Sequence, residues 1–163
     1  MTQAIVYLET SFISYLAARL SPNARVQQDQ LTTHRWWQEQ RPRFDLVVSS
    51  AVYNECARGD SSMAARRLAY VAAASLLDPH PSISTLGDSL IVPAGPLPSK
   101  AAVDAEHVSY AAFYGCDYLL TWNVRHIANP ELRRTVDTII RSQGYEPAVI
   151  CTPALWFAGG PLA

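Results

Sequence analysis

Lysine is all but missing from this chain: of its 13 basic residues only Lys100 is lysine, and the rest are arginine. Those 13 are balanced by 14 acidic residues, so there is no bulk positive field of the kind that draws a protein onto nucleic acid. A polyanion partner would have to be met by local patches. Arginine, with its planar fork, is the better residue for phosphate, although a coding bias toward arginine would leave the same composition. Cysteine is scarce too. Cys56, Cys116 and Cys151 form no CxxC pair and share no Cys/His spacing, which speaks against a disulfide framework and against a zinc site. Each lies among apolar neighbours and reads as a small core residue. Long apolar runs are also absent. The longest, from Ala69 to Leu77, is interrupted by Ser75 and is far too short to cross a bilayer, and the first residues carry no basic or apolar leader. A reduced, cytoplasmic protein without membrane contact is the expectation. Phosphate-cradling glycine loops and a Gly-x-Ser-x-Gly elbow are missing, so nucleotide-binding and serine-hydrolase readings lack their machinery. Lys100 sits between a proline-rich loop and a helix rather than after a strand, which disfavours a phospho-receiver domain.

What remains is 49% hydrophobic and 17% charged over 163 residues, enough for one packed domain spanning residues 1–163. Short apolar, β-rich runs at 4–8, 46–48, 118–121 and 149–151, with a weaker one at 76–77, read as buried strands. Between them the spacing and breakers predict helices: one starting at Thr10 or Ser11 as its cap, then 23–40, one from Ser49 or Ser50 to Gly59, 61–74, 83–92, 101–114 and 130–142. Strands of three to five residues alternating with helices, and no Asn-Gly hairpin, predict an α/β fold. Its short, mainly parallel sheet is covered on both faces.

Acids fall where such a fold presents ligands, at the carboxyl ends of strands. Glu9 follows the first apolar run. Glu55 edges the apolar stripe of its helix, Asp104 shares a helical face with Val108 and Ala111, and Asn123 follows the run at 118–121. Three carboxylates aimed inward from separate elements are costly without a neutraliser, and no lysine is near them in sequence. A hard divalent cation, Mg²⁺ or Mn²⁺, would serve. Taken singly, each has a plainer reading: a solvated strand end, an exposed helical residue, a first-turn acid favoured by the helix dipole, a turn cap.

Four stretches together resemble PIN-domain ribonucleases: Val6-Tyr7-Leu8-Glu9-Thr10-Ser11, Ser49 through Glu55, Asp104-Ala105 through Ala112, and Asp117-Tyr118-Leu119-Leu120-Thr121-Trp122-Asn123. Order, element type and length agree along essentially the whole chain. Within that family the sequence is most similar to the toxins of VapBC-type toxin–antitoxin pairs. The resemblance implies a three-layer α/β/α fold and metal-dependent hydrolysis of RNA phosphodiester bonds. Glu9, Glu55 and Asp104 would hold Mg²⁺ or Mn²⁺ directly or through waters, and Asn123 would complete or flank the cluster. Thr10, Ser11 and Thr121 would contact phosphate or orient an acid, Arg125 would contact the RNA backbone, and Arg41, Arg43, Arg133 and Arg134 are further candidates for that contact. It also implies an antitoxin chain laid over the acidic cleft, and a homodimer.

Two positions depart from the family pattern. Glu9 stands where aspartate is usual, placing the carboxylate one bond length farther out, and Asn123 stands where aspartate is frequent, removing a charge. They leave a one-metal site favoured over two, and keep open a catalytically weak or inactive PIN-like module that binds RNA or protein. His107, one turn beyond Asp104, reads first as a buried histidine against the sheet, with contact to a ligand water as the alternative. His126 reads first as a hydrogen-bonded structural histidine and second as a general acid. Trp36, Trp37, Phe44 and Trp156 read first as core or dimer packing and second as base-stacking platforms.

Overall fold

The computed structural model describes residues 2–160. Five strands, β1 (Ile5–Leu8), β2 (Asp45–Ser49), β3 (Ser75–Leu77), β4 (Tyr118–Leu120) and β5 (Val149–Cys151), form one sheet in the order β3-β2-β1-β4-β5. Every neighbouring pair is parallel. The central β1 is buried along Val6, Tyr7 and Leu8, which explains why its sequence is a continuous apolar run rather than an alternating one.

Among the described residues seven α-helices lie between the strands and an eighth follows the last: α1 (Thr10–Ala17), α2 (Ala24–Glu39), α3 (Ser50–Cys56), α4 (Ser61–Val71), α5 (Pro81–Leu90), α6 (Ala102–Phe113), α7 (Pro130–Ser142) and α8 (Pro153–Phe157). Helices α1, α2, α4 and α8 pack together, as do α5, α6 and α7. Parallel connections are right-handed, and the chain reverses its winding direction between β3 and β4, so the two groups cover opposite faces of the sheet. The expected three-layer α/β/α architecture is therefore observed. Its topological switch point lies between β1 and β4, and the carboxyl ends of those strands are where Glu9 and Thr121 emerge.

Local differences from the sequence expectations have simple causes. Helix α1 is capped by Glu9 rather than by Thr10 or Ser11, because the Glu9 carboxylate accepts from the Ser11 backbone N–H. Helix α2 starts at Ala24 rather than at 23, because the Asn23 side chain serves as its cap, accepting from Arg25 N and Val26 N. Helix α5 starts at Pro81, capped by the His80 ring. The weak run at 76–77 is a true edge strand from Ser75. Helix α8, not foreseen, is a five-residue turn set by the Thr152 hydroxyl cap and Pro153. Gly115 and Gly144 close α6 and α7 in the left-handed region, at φ +64° and +88°, where only glycine is free of strain.

Trp36 is wholly buried and meets Phe12 and Trp156 edge-on and Phe44 in a stack. That places three of the four candidate platform aromatics in the core. Trp37 is half-buried, packs on Tyr70 and carries the Arg41 guanidinium over its ring. The three cysteines are buried and unpaired, and burial pushes each thiol up to about 12, so none is a nucleophile at neutral pH. Among the described residues no helix is long and apolar enough to cross a membrane.

Candidate metal centre at the carboxyl edge of the sheet

Side-chain alternation along an extended strand puts Tyr7 and Glu9 on the same face of β1, the face that α6 covers. The Glu9 backbone N–H donates to Leu120 O and so aligns the exit of β1 with that of β4. Thr121 is thereby brought beside Glu9, and its hydroxyl donates to Glu9 Oε2 at 2.7 Å. The same oxygen accepts from Ser11 N at 3.0 Å and from the Ser11 hydroxyl. Ser11 Oγ in turn accepts from Trp122 N at 2.8 Å. Glu9 is only 5% exposed. One of its oxygens is thus saturated by hydroxyl and amide donors, while the other, Oε1, faces His107 Nε2 at 3.9 Å.

Helix α3 starts directly from β2, with Ser49 Oγ accepting from Val52 N, and carries Glu55 to the same edge. Glu55 Oε1 accepts from the Thr10 hydroxyl at 2.6 Å and pairs with His107 Nε2 at 2.7 Å. His107 is wholly buried. Its Nδ1 lies 2.7 Å from the Tyr7 hydroxyl, which is itself 2.7 Å from Ser49 Oγ. Burial alone would raise the Glu55 carboxyl, but the hydrogen bonds from His107 and Thr10 outweigh it and hold the group below its usual 4.5. Burial alone would lower His107. Glu55, through hydrogen bond and charge, together with Glu9 and Asp104 outweighs that effect and raises the imidazole above 6.5.

The remaining two candidates pair with each other. Asp104, in the first turn of α6, accepts from Asn123 Nδ2 at 3.0 Å and pairs through its other oxygen with His126 Nδ1 at 2.8 Å. Asn123 Oδ1 accepts from the His126 backbone N–H at 3.0 Å, and Asn123 N donates to Thr121 Oγ1 at 2.9 Å. Thr121 therefore links the two halves. Glu9, Glu55 and His107 offer ligand atoms within 4.8 Å of one another. Asp104 and Asn123 stand outside that group, in a second one with His126. Thr10, Ser11 and Thr121 all donate to the acids. Arg125 is exposed just past Asn123, and its guanidinium makes no hydrogen bond among the described residues. Arg133 is committed to Asp137 and to Ala148 O.

His107 was the residue hardest to value from sequence. Its place one turn after Asp104 was visible, but its partner Glu55 lies 52 residues away. The donor set suits a divalent cation: two carboxylates and an imidazole converge, and each is oriented by a second partner, as metal-binding side chains are.

These shifts give the pair a pH-dependent contribution to the stability of the metal-free protein. Glu55, depressed on folding, contributes stability above about pH 4.5 that is lost as pH falls through its folded value. His107, raised on folding, contributes stability below about pH 6.5 that is lost as pH rises through its folded value. Thermal melts in EDTA should therefore peak between these limits and decline on both sides. A melting temperature that keeps rising into alkaline pH would show that the pair does not form as described.

No protein-family model and no curated protein matches the chain in sequence. Solved structures match in fold. A chain of VapBC2 from Rickettsia felis, solved bound to a DNA fragment from its promoter, superposes with a TM-score of 0.57 at 11% identity, covering 91% of this chain and 98% of that one. VapBC-1 from nontypeable Haemophilus influenzae gives 0.55 at 16% identity, covering 92% and 98%. Mycobacterium tuberculosis VapC20, a sarcin-ricin loop cleaving toxin, gives 0.53 at 13% identity, covering 86% and 95%. The chain thus has a VapC-like PIN fold over nearly its whole length.

Proposed function

We propose that this protein is a divalent-metal-dependent endoribonuclease acting as the toxin of a toxin–antitoxin pair. The observation that carries the reading is the meeting of Glu9 and Glu55, from separate elements, at the switch point of a VapC-like fold. Glu9 Oε1 and Glu55 would hold Mg²⁺ or Mn²⁺, with Asp104 and Asn123 reaching it through waters. When bound, the ion supplies charge against the phosphate and activates a water for attack. Thr121 and Ser11 fix Glu9 by saturating Oε2, and Thr10 fixes Glu55. His126 Nδ1 is held by Asp104, which orients the ring beside the exposed Arg125, where an RNA backbone would pass. An antitoxin segment would cover the same acidic cleft, its arginine pairing with the carboxylates. The VapBC structures that share the fold support that partner, and homodimerisation is part of the same reading.

A second reading has its own observation. His107 bonds Glu55 directly, and the neighbouring acids raise the imidazole, so the ring would offset their charge without an ion. The protein would then be a binding module of the same fold. Purified protein, free of antitoxin, incubated with labelled total RNA and Mg²⁺ or Mn²⁺ separates the two. The nuclease yields discrete products that disappear with EDTA, whereas the binding module retards RNA without cutting it.

A further inference from the structure

Resting on the metal-dependent reading above, we infer that His107 is itself a metal ligand through Nε2. Together with Glu9 and Glu55 it makes a mixed nitrogen–oxygen site that selects first-row transition ions over Mg²⁺. Nε2 lies 2.7 Å from Glu55 Oε1 and 3.9 Å from Glu9 Oε1. Donors each about 2.1 Å from one ion stand about 3 to 4 Å apart, so small side-chain adjustments admit an ion among the three. Glu9 Oε1 accepts no hydrogen bond among the described residues, and this largely buried side chain (6% exposed) directs it at the imidazole, leaving its lone pairs open to an ion.

The far side of the ring is arranged as a histidine ligand requires. With Nε2 turned to the ion, Nδ1–H donates to the Tyr7 hydroxyl, and that hydroxyl donates to Ser49 Oγ, a buried chain that fixes tautomer and ring plane. Both carboxylates have such outer partners as well, Thr121 and Ser11 on Glu9 and Thr10 on Glu55. On binding, the ion takes the place of the proton shared between Nε2 and Glu55 Oε1, and that proton leaves to solvent. An imidazole ligand favours zinc and the later transition ions, and affinity rises from Mn²⁺ through Co²⁺, while Mg²⁺ prefers oxygen and retained water. Asp104, bonded to Asn123 and His126, stays outside this donor set, positions the neighbouring loop and reaches the ion only through water.

The test uses Mn²⁺ alone, without RNA. Pulsed electron paramagnetic resonance of Mn²⁺ on the wild-type protein should show coupling to one imidazole nitrogen. The coupling should persist in His126→Gln and vanish in His107→Gln. In binding titrations Mn²⁺ should bind at least tenfold more tightly than Mg²⁺, and His107→Gln should narrow that ratio. Tyr7→Phe should weaken Mn²⁺ by roughly tenfold or more while keeping the nitrogen coupling. It also keeps the test decisive if His107→Gln does not fold. Bound Mn²⁺ without nitrogen coupling, or coupling lost in His126→Gln, would overturn the inference and leave the metal reading standing. No Mn²⁺ binding at all would remove both.

Discussion

Glu9→Gln should lower metal-dependent RNA cleavage by at least about a hundredfold while leaving the protein folded. The substitution is nearly isosteric, and the amide oxygen can still accept from Ser11 N and Thr121 Oγ1, so the cap of α1 and the alignment of β1 with β4 survive. What changes is the second oxygen. An NH₂ group replaces Oε1 opposite His107 and beside Glu55, which removes a negative charge from the centre and places a donor where an acceptor is needed. Thermal melts separate this effect from misfolding. Wild-type protein at about a hundredfold excess of Mn²⁺ over its dissociation constant should gain about 2.7 kcal/mol by linkage. Glu9→Gln should gain almost nothing, and its metal-free melting temperature should stay close to wild type, because relief of the Glu9–Glu55 repulsion is offset by loss of the Glu9 charge that helps raise His107. Full cleavage by a folded Glu9→Gln protein would show that Glu9 serves only as a helix cap.

Asp104→Asn should reduce cleavage by a comparable factor through a different route. Asp104 accepts from Asn123 with one oxygen and pairs with His126 with the other. An asparagine there can still accept from Asn123, but it presents an amide to His126 Nδ1 that must switch the imidazole tautomer or break the pair. The loop carrying Asn123, Arg125 and His126 then loses its anchor, with a loss of about 1–2 kcal/mol in stability. Because this group stands apart from Glu9, Glu55 and His107, Mn²⁺ affinity should fall far less in Asp104→Asn than in Glu9→Gln. Equal loss of Mn²⁺ binding in both variants would instead place Asp104 among the direct ligands.

The scaffold was legible because its signals are local. The apolar run at β1, the Ser49 cap and the glycines after α6 and α7 each determine their element within a few residues. Glu9 was recognisable as a strand-end acid, yet not as the cap of α1, since serine and threonine beside it are the better caps by propensity. Only the pairing of β1 with β4, which brings Thr121 onto Glu9, turns that carboxylate inward. The division of the site was invisible for the same reason. Sequence spacing placed Asp104 and His107 on one face of α6, but which acid each would meet depends on where β2 delivers α3 and where the chain runs after β4. Helix α8, set by one threonine and one proline, is too short for any periodic signal.

The central claim is that an ion held at Glu9 and Glu55 drives RNA cleavage. Its most direct test measures Mn²⁺ binding and cleavage of one labelled RNA on the same antitoxin-free sample across a Mn²⁺ titration. Cleavage should rise with the same half-saturation as binding and vanish when EDTA is added. Cleavage that proceeds undiminished in EDTA, or Mn²⁺ that saturates the protein without any cleavage, would contradict the account.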